Sequence, residues 1–170
     1  MYKEEIPIEN PALVETDYET ERGKPMPSIN HSVIQLNIGV ALRLHYGKQY
    51  TIASEVDLDL PNAQRPTVPD IAIFTKRELS LSKDIVKVKE PPLTAIEILS
   101  PSQRIEDVKD KIFENYFPAG VKSAWLIIPS ARTVSVFTPD EKFKTYATGK
   151  FSDPTNGIAL DLDEVFEGLS

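Results

Sequence analysis

The chain has 170 residues, 41% of them hydrophobic and 26% charged, a size and composition that fit one globular domain with its own core. It contains no cysteine, which excludes disulfide bonds, cysteine-ligated zinc and a thiol nucleophile. The net charge of −7 argues against nucleic acid as a partner, yet residues 1–24 carry net −4 and residues 153–170 net −5, so the part between them is mildly basic at +2.

The N-terminus lacks the basic and apolar regions of a secretory signal, and no apolar run approaches the roughly 20 residues that span a bilayer. We therefore expect a cytoplasmic protein without a membrane partner. Residues 1–15 are acidic and contain two prolines, which predicts an irregular segment ahead of a single domain at 16–170.

Two helices are predicted before the first strand. Residues 16–22 can form a short helix that Gly23 stops, and a longer helix is predicted at 29–46, after Ser28 as its N-cap. The apolar residues of the longer helix recur at helical spacing at Val33, Leu36, Val40 and Leu44.

The remaining pattern alternates strands with one further long helix. A half-buried strand is predicted at 49–60, a central strand at 68–74 and a third at 93–99, with a charged connector at 75–92 that can hold a short helix near 78–81. A helix at 104–117 then precedes predicted strands at 124–128, 133–138, 143–147 and 157–160, and a terminal helix at 162–167. This order predicts an α/β (α+β) domain in which helices pack on a mixed sheet.

Asp70 and Glu97 each interrupt an otherwise apolar strand. A carboxylate in such a strand is costly to bury unless it is paired, hydrogen-bonded or metal-bound. Either residue could instead face solvent from an amphipathic strand. Two such carboxylates in successive strands can come within reach of one hard divalent cation, which prefers oxygen ligands.

Pro69-Asp70 followed at a distance by Glu97 resembles the PD-(D/E)xK nuclease superfamily. More specifically, the chain is similar to a bacterial family of restriction-endonuclease-like domains, from about residue 17 to residue 169. The segments that carry this resemblance are YETERGK (18–24), RPTVPDIAIF (65–74), EILSPSQ (97–103), AGVKSAWLIIP (119–129) and RTVSVF (132–137).

The resemblance implies a restriction-endonuclease-like mixed β-sheet flanked by helices, and hydrolysis of phosphodiester bonds in DNA. It implies that Asp70 and Glu97 bind Mg²⁺ or Mn²⁺, with Glu19 as a third metal ligand for which Glu21 competes. The superfamily's lysine two residues after the second acid is replaced by Leu99.

In the resembled family that lysine lies on the following helix, which implies Lys111, with Lys109 as an alternative that could also contact substrate. The interval from Lys111 to Tyr116 is one residue longer than the family pattern. Either lysine could also be a solvated side chain on a polar helix face.

Two further polar residues are candidates for binding substrate. Gln103 follows the break after the third strand and could contact a phosphate or cap the next helix. His31 could contact a phosphate or be a structural histidine near a helix start. Tyr116 and Trp125 are expected to pack in the core.

Three functions remain open from the sequence. The first is a Mg²⁺- or Mn²⁺-dependent endonuclease, expected to be a homodimer by analogy, because cleaving both strands of a duplex favours two sites. The second is a nuclease fold with weak or no activity that binds nucleic acid or regulates another protein. The third is a protein-binding module whose acidic ends dock on a basic partner.

Overall fold

The computed structural model describes residue 19, residue 20 and residues 23–170. The predicted irregular segment 1–15 and most of the predicted helix 16–22 lie outside these residues, whereas residues 19 and 20 are helical. Within the described chain, no helix is long and apolar enough to cross a membrane.

Ten strands and three α-helices make up the described chain. The strands are β1 (Tyr50–Ser54), β2 (Asp57–Leu58), β3 (Ile71–Thr75), β4 (Lys87–Val88), β5 (Thr94–Ile98), β6 (Ser123–Ile128), β7 (Thr133–Phe137), β8 (Phe143–Tyr146), β9 (Lys150–Ser152) and β10 (Ala159–Asp161). The α-helices are α1 (Ile29–Tyr46), α2 (Ile105–Lys111) and α3 (Leu162–Val165); a π-helical turn at Ile112–Tyr116 continues α2, and a 3₁₀ turn at Pro129–Ala131 follows β6.

Six strands form one sheet in the order β1-β3-β5-β6-β7-β8. The pairing of β5 with β6 is parallel and the other pairings in this sheet are antiparallel. Helices cover both faces of the sheet, so the predicted mixed sheet flanked by helices is confirmed.

Two apolar layers lie on opposite faces of this sheet. On one face α1 and α3 pack over residues that include Ile96 and Trp125, and on the other α2 and its π-helical turn pack over residues that include Ala95 and Leu126. Because the central strands are covered on both faces, their sequences are almost continuously apolar. A single carboxylate in such a strand therefore ends up inside the protein.

The predicted helix at 29–46 has the observed bounds of α1, and the Ser28 hydroxyl accepts a hydrogen bond from the His31 N–H at its start. The recurring apolar residues identified from the sequence are not its packed face, because Leu36, Val40 and Leu44 are exposed. The helix packs instead through Ile34, Ile38, Ala41 and Leu42. Apolar residues follow a helical spacing on two sides of α1, and only contact with the sheet distinguishes them.

Two other predictions for this half of the chain were wrong in detail. The predicted strand at 49–60 is divided at Glu55, whose φ of +51° is left-handed and interrupts an extended chain. Residues 78–81 do not form a helix; the connector is held by an isolated bridge between Ser80 and Lys83 and by pairing of β4 with β2.

Asp153 is a fully buried carboxylate that fastens the segment after β9 to the sheet. Its Oδ2 accepts hydrogen bonds from the Ser123 hydroxyl and from Trp125 Nε1 at 2.8 Å. Its Oδ1 accepts from the Thr155 N–H at 2.9 Å and from the Thr155 hydroxyl at 2.6 Å. Both oxygens are thus surrounded by donors, which compensates the burial of the charge.

We expect Asp153→Asn to lower the free energy of unfolding by about 2 kcal/mol or more, because an amide NH₂ would face hydrogen-bond donors where an oxygen now accepts. Urea unfolding of wild type and variant measures this. Asp110→Asn, on the exposed side of α2, is the control and should change stability by no more than about 0.5 kcal/mol. Equal stability of the two variants would contradict the structural role of Asp153.

Candidate active site

Asp70 and Glu97 lie at the same end of the central sheet. Asp70 immediately precedes β3, Glu97 lies near the end of β5, and these strands are antiparallel neighbours in which Ile71 pairs with Ile96. Asp70 is 0% exposed and Glu97 is 1% exposed. Neither carboxylate faces solvent, so each requires compensation inside the protein.

The Lys24 ammonium bridges the two carboxylates. Its Nζ lies 2.6 Å from Asp70 Oδ1 and 3.3 Å from Glu97 Oε2. Lys24 is itself buried, although it belongs to a segment without helix or strand that leads into α1. One oxygen of each carboxylate therefore converges on a single cation position.

The other oxygen of each carboxylate is held by the protein. Asp70 Oδ2 accepts a hydrogen bond of 2.7 Å from the Ile98 N–H. Glu97 Oε1 lies 2.7 Å from Lys111 Nζ and accepts a hydrogen bond from the Tyr116 hydroxyl. These contacts fix the orientation of both carboxylates and leave Asp70 Oδ1 and Glu97 Oε2 as the oxygens that face the shared cation.

The π-helical turn brings Lys111 and Tyr116 to the same carboxylate. In a regular α-helix, residues three or four apart share a face, so two side chains five apart diverge. A π-helical turn closes i→i+5 hydrogen bonds, such as the Phe117 N–H donating to the Ile112 carbonyl at 3.0 Å, and it holds one more residue per turn. The π-helical turn therefore lets Lys111 and Tyr116, five residues apart, reach the same carboxylate.

His31 flanks Asp70 on the side of α1. The imidazole is fully buried, and its Nε2 lies 3.2 Å from Asp70 Oδ1 without the alignment of a hydrogen bond. Within the described chain its Nδ1 also has no hydrogen-bond partner. His31 thus contacts a site carboxylate from within the protein rather than from its surface.

The ionisation of the site follows from burial and from these contacts. Burial alone would raise the pKa of Asp70, but the contact with His31 and the charge of Lys24 outweigh it and hold that pKa below its usual value of 3.8. Burial lowers the pKa of Lys111, and the neighbouring Glu97 charge opposes that shift. Burial and the Glu97 charge raise the pKa of Tyr116 well above 10.0, so its hydroxyl remains a donor.

Three of the residues identified from the sequence are engaged away from the carboxylate pair. Glu19 Oε1 accepts a hydrogen bond from the Met26 N–H at 3.2 Å. Gln103 Oε1 accepts one from the Ser100 N–H at 3.3 Å, and Lys109 is exposed, with its Nζ 6.0 Å from the centre of the Phe143 ring. Within the described residues, no group of three or more acidic, histidine or cysteine side chains is arranged to hold a metal ion.

Comparison with known proteins places this chain in a family. Residues 15–170 match the model of the family described as "Uma2: Putative restriction endonuclease". The chain belongs to the Uma2 family. No curated protein matches the sequence.

A solved structure described as "a putative nuclease belonging to DUF820 from Anabaena variabilis ATCC 29413" is 25% identical to this chain, with a TM-score of 0.70. The match covers 84% of this chain and 83% of that one. It agrees with the Uma2 assignment and supports a nuclease-like function. The resemblance to restriction-endonuclease-like domains, and the fold it implied, are confirmed.

Two members of the cluster were not identified from the sequence as site residues. Lys24 ends the YETERGK segment (18–24) that carries the family resemblance, and Tyr116 was expected only to pack in the core, whereas its hydroxyl binds Glu97. Two carboxylates expected in apolar strands need more than the single cation of Lys111 to balance their charge, and this requirement is the signal for a second lysine such as Lys24.

We expect Asp70 to make stability depend on acid pH. Because its folded-state pKa is lowered, the stabilisation is fully present above pH 3.8, the usual value, and is lost as the pH falls below it. Asp70→Asn removes this contribution, so the gap in unfolding free energy between wild type and variant should narrow below that pH. Urea unfolding from about pH 6 downward measures the gap; a gap that stays constant would contradict the lowered pKa.

Proposed function

We propose that this protein is a Mg²⁺- or Mn²⁺-dependent endonuclease that hydrolyses phosphodiester bonds in DNA. The observation that carries the proposal is the convergence of Asp70 Oδ1 and Glu97 Oε2 on one cation position, with the second oxygen of each carboxylate anchored. Its setting is a Uma2 domain whose fold matches that of the structure described as "a putative nuclease". The net +2 charge of the chain between its acidic ends permits DNA as a substrate but does not by itself predict it.

The donor set of the site fits a hard divalent cation. Both groups that share the cation position are carboxylate oxygens, which Mg²⁺ and Mn²⁺ prefer, and Mg²⁺ is commonly held by one or two carboxylates together with water and substrate phosphate. Asp70 and Glu97 would hold the metal, which when bound lowers the pKa of a water and neutralises charge on phosphate. Glu19, whose Oε1 accepts from the Met26 N–H, is the candidate for a third ligand.

We assign to Lys111 the role of orienting the attacking water and stabilising charge on the phosphate. Its Nζ is fixed 2.7 Å from Glu97 Oε1, so its position relative to the carboxylate pair is set before substrate binds. Because burial lowers its pKa, Nζ holds its proton less tightly than an exposed lysine and can orient or donate to an oxygen at the reaction centre. Tyr116, which keeps its proton, holds Glu97 for this arrangement.

A nuclease fold that binds nucleic acid or regulates another protein without cleavage is the second candidate. The observation that favours it is Lys24, which compensates the carboxylates without a metal. Cleavage measurements separate the two candidates. A homodimer remains an expectation from two-strand cleavage, and sedimentation velocity with and without duplex DNA measures it.

We expect the protein to cleave single- or double-stranded DNA with Mn²⁺, and Glu97→Gln and Lys111→Met each to reduce the rate by about 100-fold or more, because each removes charge at the reaction centre. Gel assays with plasmid and short oligonucleotides measure the rates. Circular dichroism establishes that both variants are folded.

Lys83→Met is the matched control, because Lys83 is exposed on the connector between β3 and β5. Its rate should stay within about twofold of wild type. Cleavage that survives Glu97→Gln would assign the activity to another site or a contaminant, whereas DNA binding without cleavage by wild type would favour the second candidate.

Metal binding by the carboxylate pair is tested separately from turnover. We expect Mn²⁺ to raise the melting temperature of wild type and to raise that of Asp70→Asn much less, because the variant lacks one ligand charge. Thermal denaturation with Mn²⁺ or EDTA measures this. An equal shift in both proteins would place the metal elsewhere.

A further inference from the structure

Lys24 occupies the position that both carboxylates share. Its Nζ is in contact with Asp70 Oδ1 and Glu97 Oε2, whereas Lys111 contacts the opposite oxygen of Glu97 and the Val68 carbonyl. A divalent cation held by the two inward-facing oxygens would need the place that the Lys24 ammonium fills. The two cations therefore compete for the same pair of oxygens.

The charge of the cluster makes this competition strong. Two carboxylates and two ammonium groups balance one another in a site where each of the four side chains is at most 7% exposed. Adding a divalent cation while both lysines stay would place three positive groups around two negative ones, in surroundings that screen charge weakly. Departure of Lys24 relieves this repulsion, because among the residues that the structure describes its ammonium is the one that contacts both carboxylates.

Lys24 is also the member of the cluster best placed to leave. Glu97 lies on β5, Lys111 on α2, Tyr116 on the π-helical turn and His31 on α1. Lys24 comes from residues 23–28, which have neither helix nor strand. Its flexible four-carbon side chain can carry the ammonium away from the carboxylates without disturbing the sheet.

We propose that Lys24 is a built-in competitor of the divalent cation: its ammonium holds Asp70 and Glu97 together when no metal is bound and leaves them when a metal binds. This inference rests on the proposed metal site. Its consequence is that the apparent metal affinity is lower than the carboxylates alone would give, since molecules in which Lys24 still bridges them are not competent to bind.

Lys24→Met tests the competition, because methionine keeps the apolar stem and removes the charge. In EDTA the variant should melt at a lower temperature than wild type, since two buried carboxylates lose a partner. In calorimetric titration with Mn²⁺ it should nevertheless bind about tenfold more tightly or better, because the competent fraction rises. A purely structural role for Lys24 would instead leave Mn²⁺ affinity unchanged or weaken it.

Lys24→Arg keeps the buried positive charge and is the test to use if the methionine variant does not fold. Its expected change in Mn²⁺ affinity is opposite to that of Lys24→Met. A guanidinium can contact two carboxylates at once, so this variant should bind Mn²⁺ more weakly than wild type. Lys83→Met is the control and should bind as wild type does.

The outcomes distinguish failure of the inference from failure of the proposed metal site. Tighter Mn²⁺ binding by Lys24→Met that disappears when Asp70→Asn is added supports the inference; weaker binding by Lys24→Arg is the supporting result only where Lys24→Met does not fold. Equal or weaker Mn²⁺ affinity of folded Lys24→Met relative to wild type overturns the inference while the metal site stands. Absence of Mn²⁺ binding in every protein overturns the inference and the proposed metal site together.

Discussion

Two buried carboxylates and the two lysines that compensate them are the constraint around which this end of the molecule is organised. Asp70 and Glu97 cannot be buried as isolated charges, because transfer of an unpaired carboxylate from water is far more costly than a few kcal/mol of net stability can offset. Their partners come from a segment before α1 and from α2 on the opposite face of the sheet. The cluster therefore ties both helical layers to the central strands.

The same contacts prepare the cluster for chemistry. An anchored oxygen on each carboxylate restricts rotation, so the remaining oxygens stay directed at one position. Preorganised charge of this kind is what a site needs to stabilise charge that develops during a reaction, because little reorganisation is required. In the proposed nuclease, stability of the resting protein and readiness for a metal are then set by one group, Lys24, in opposite directions.

The π-helical turn brings two side chains five residues apart to one carboxylate. Lys111 does not lie on the Glu97 strand, but on a helix that passes beside it, and Tyr116 follows five residues later. A regular helix would direct these two side chains apart, whereas the wider turn directs both at Glu97 Oε1. The π-helical turn thus fixes both partners of one oxygen of Glu97.

Much of the fold followed from sequence pattern. The apolar runs around Asp70 and Glu97 predicted buried central strands, and the spacing after Ser28 predicted α1 with its observed bounds. The sequence pattern predicted the wrong packed face of α1, because apolar residues recur at helical spacing on two sides of that helix. The exposed Leu36 and the buried Ile38 both belong to a helical repeat, and only packing on the sheet separates them.

The sequence by itself identified the two carboxylates as candidate site residues, predicted their strands and indicated the family. These features could be read from it because apolar strand patterns and family-like segments are local properties of the chain. The tertiary structure alone decided which cations compensate them and where those cations lie. Lys24 is 46 residues from Asp70 and 73 from Glu97, and no local periodicity relates them. Charge pairing between distant segments depends on distance and burial in the folded protein. Folding therefore decided that the ammonium of Lys24 lies between the two carboxylates that the sequence identified.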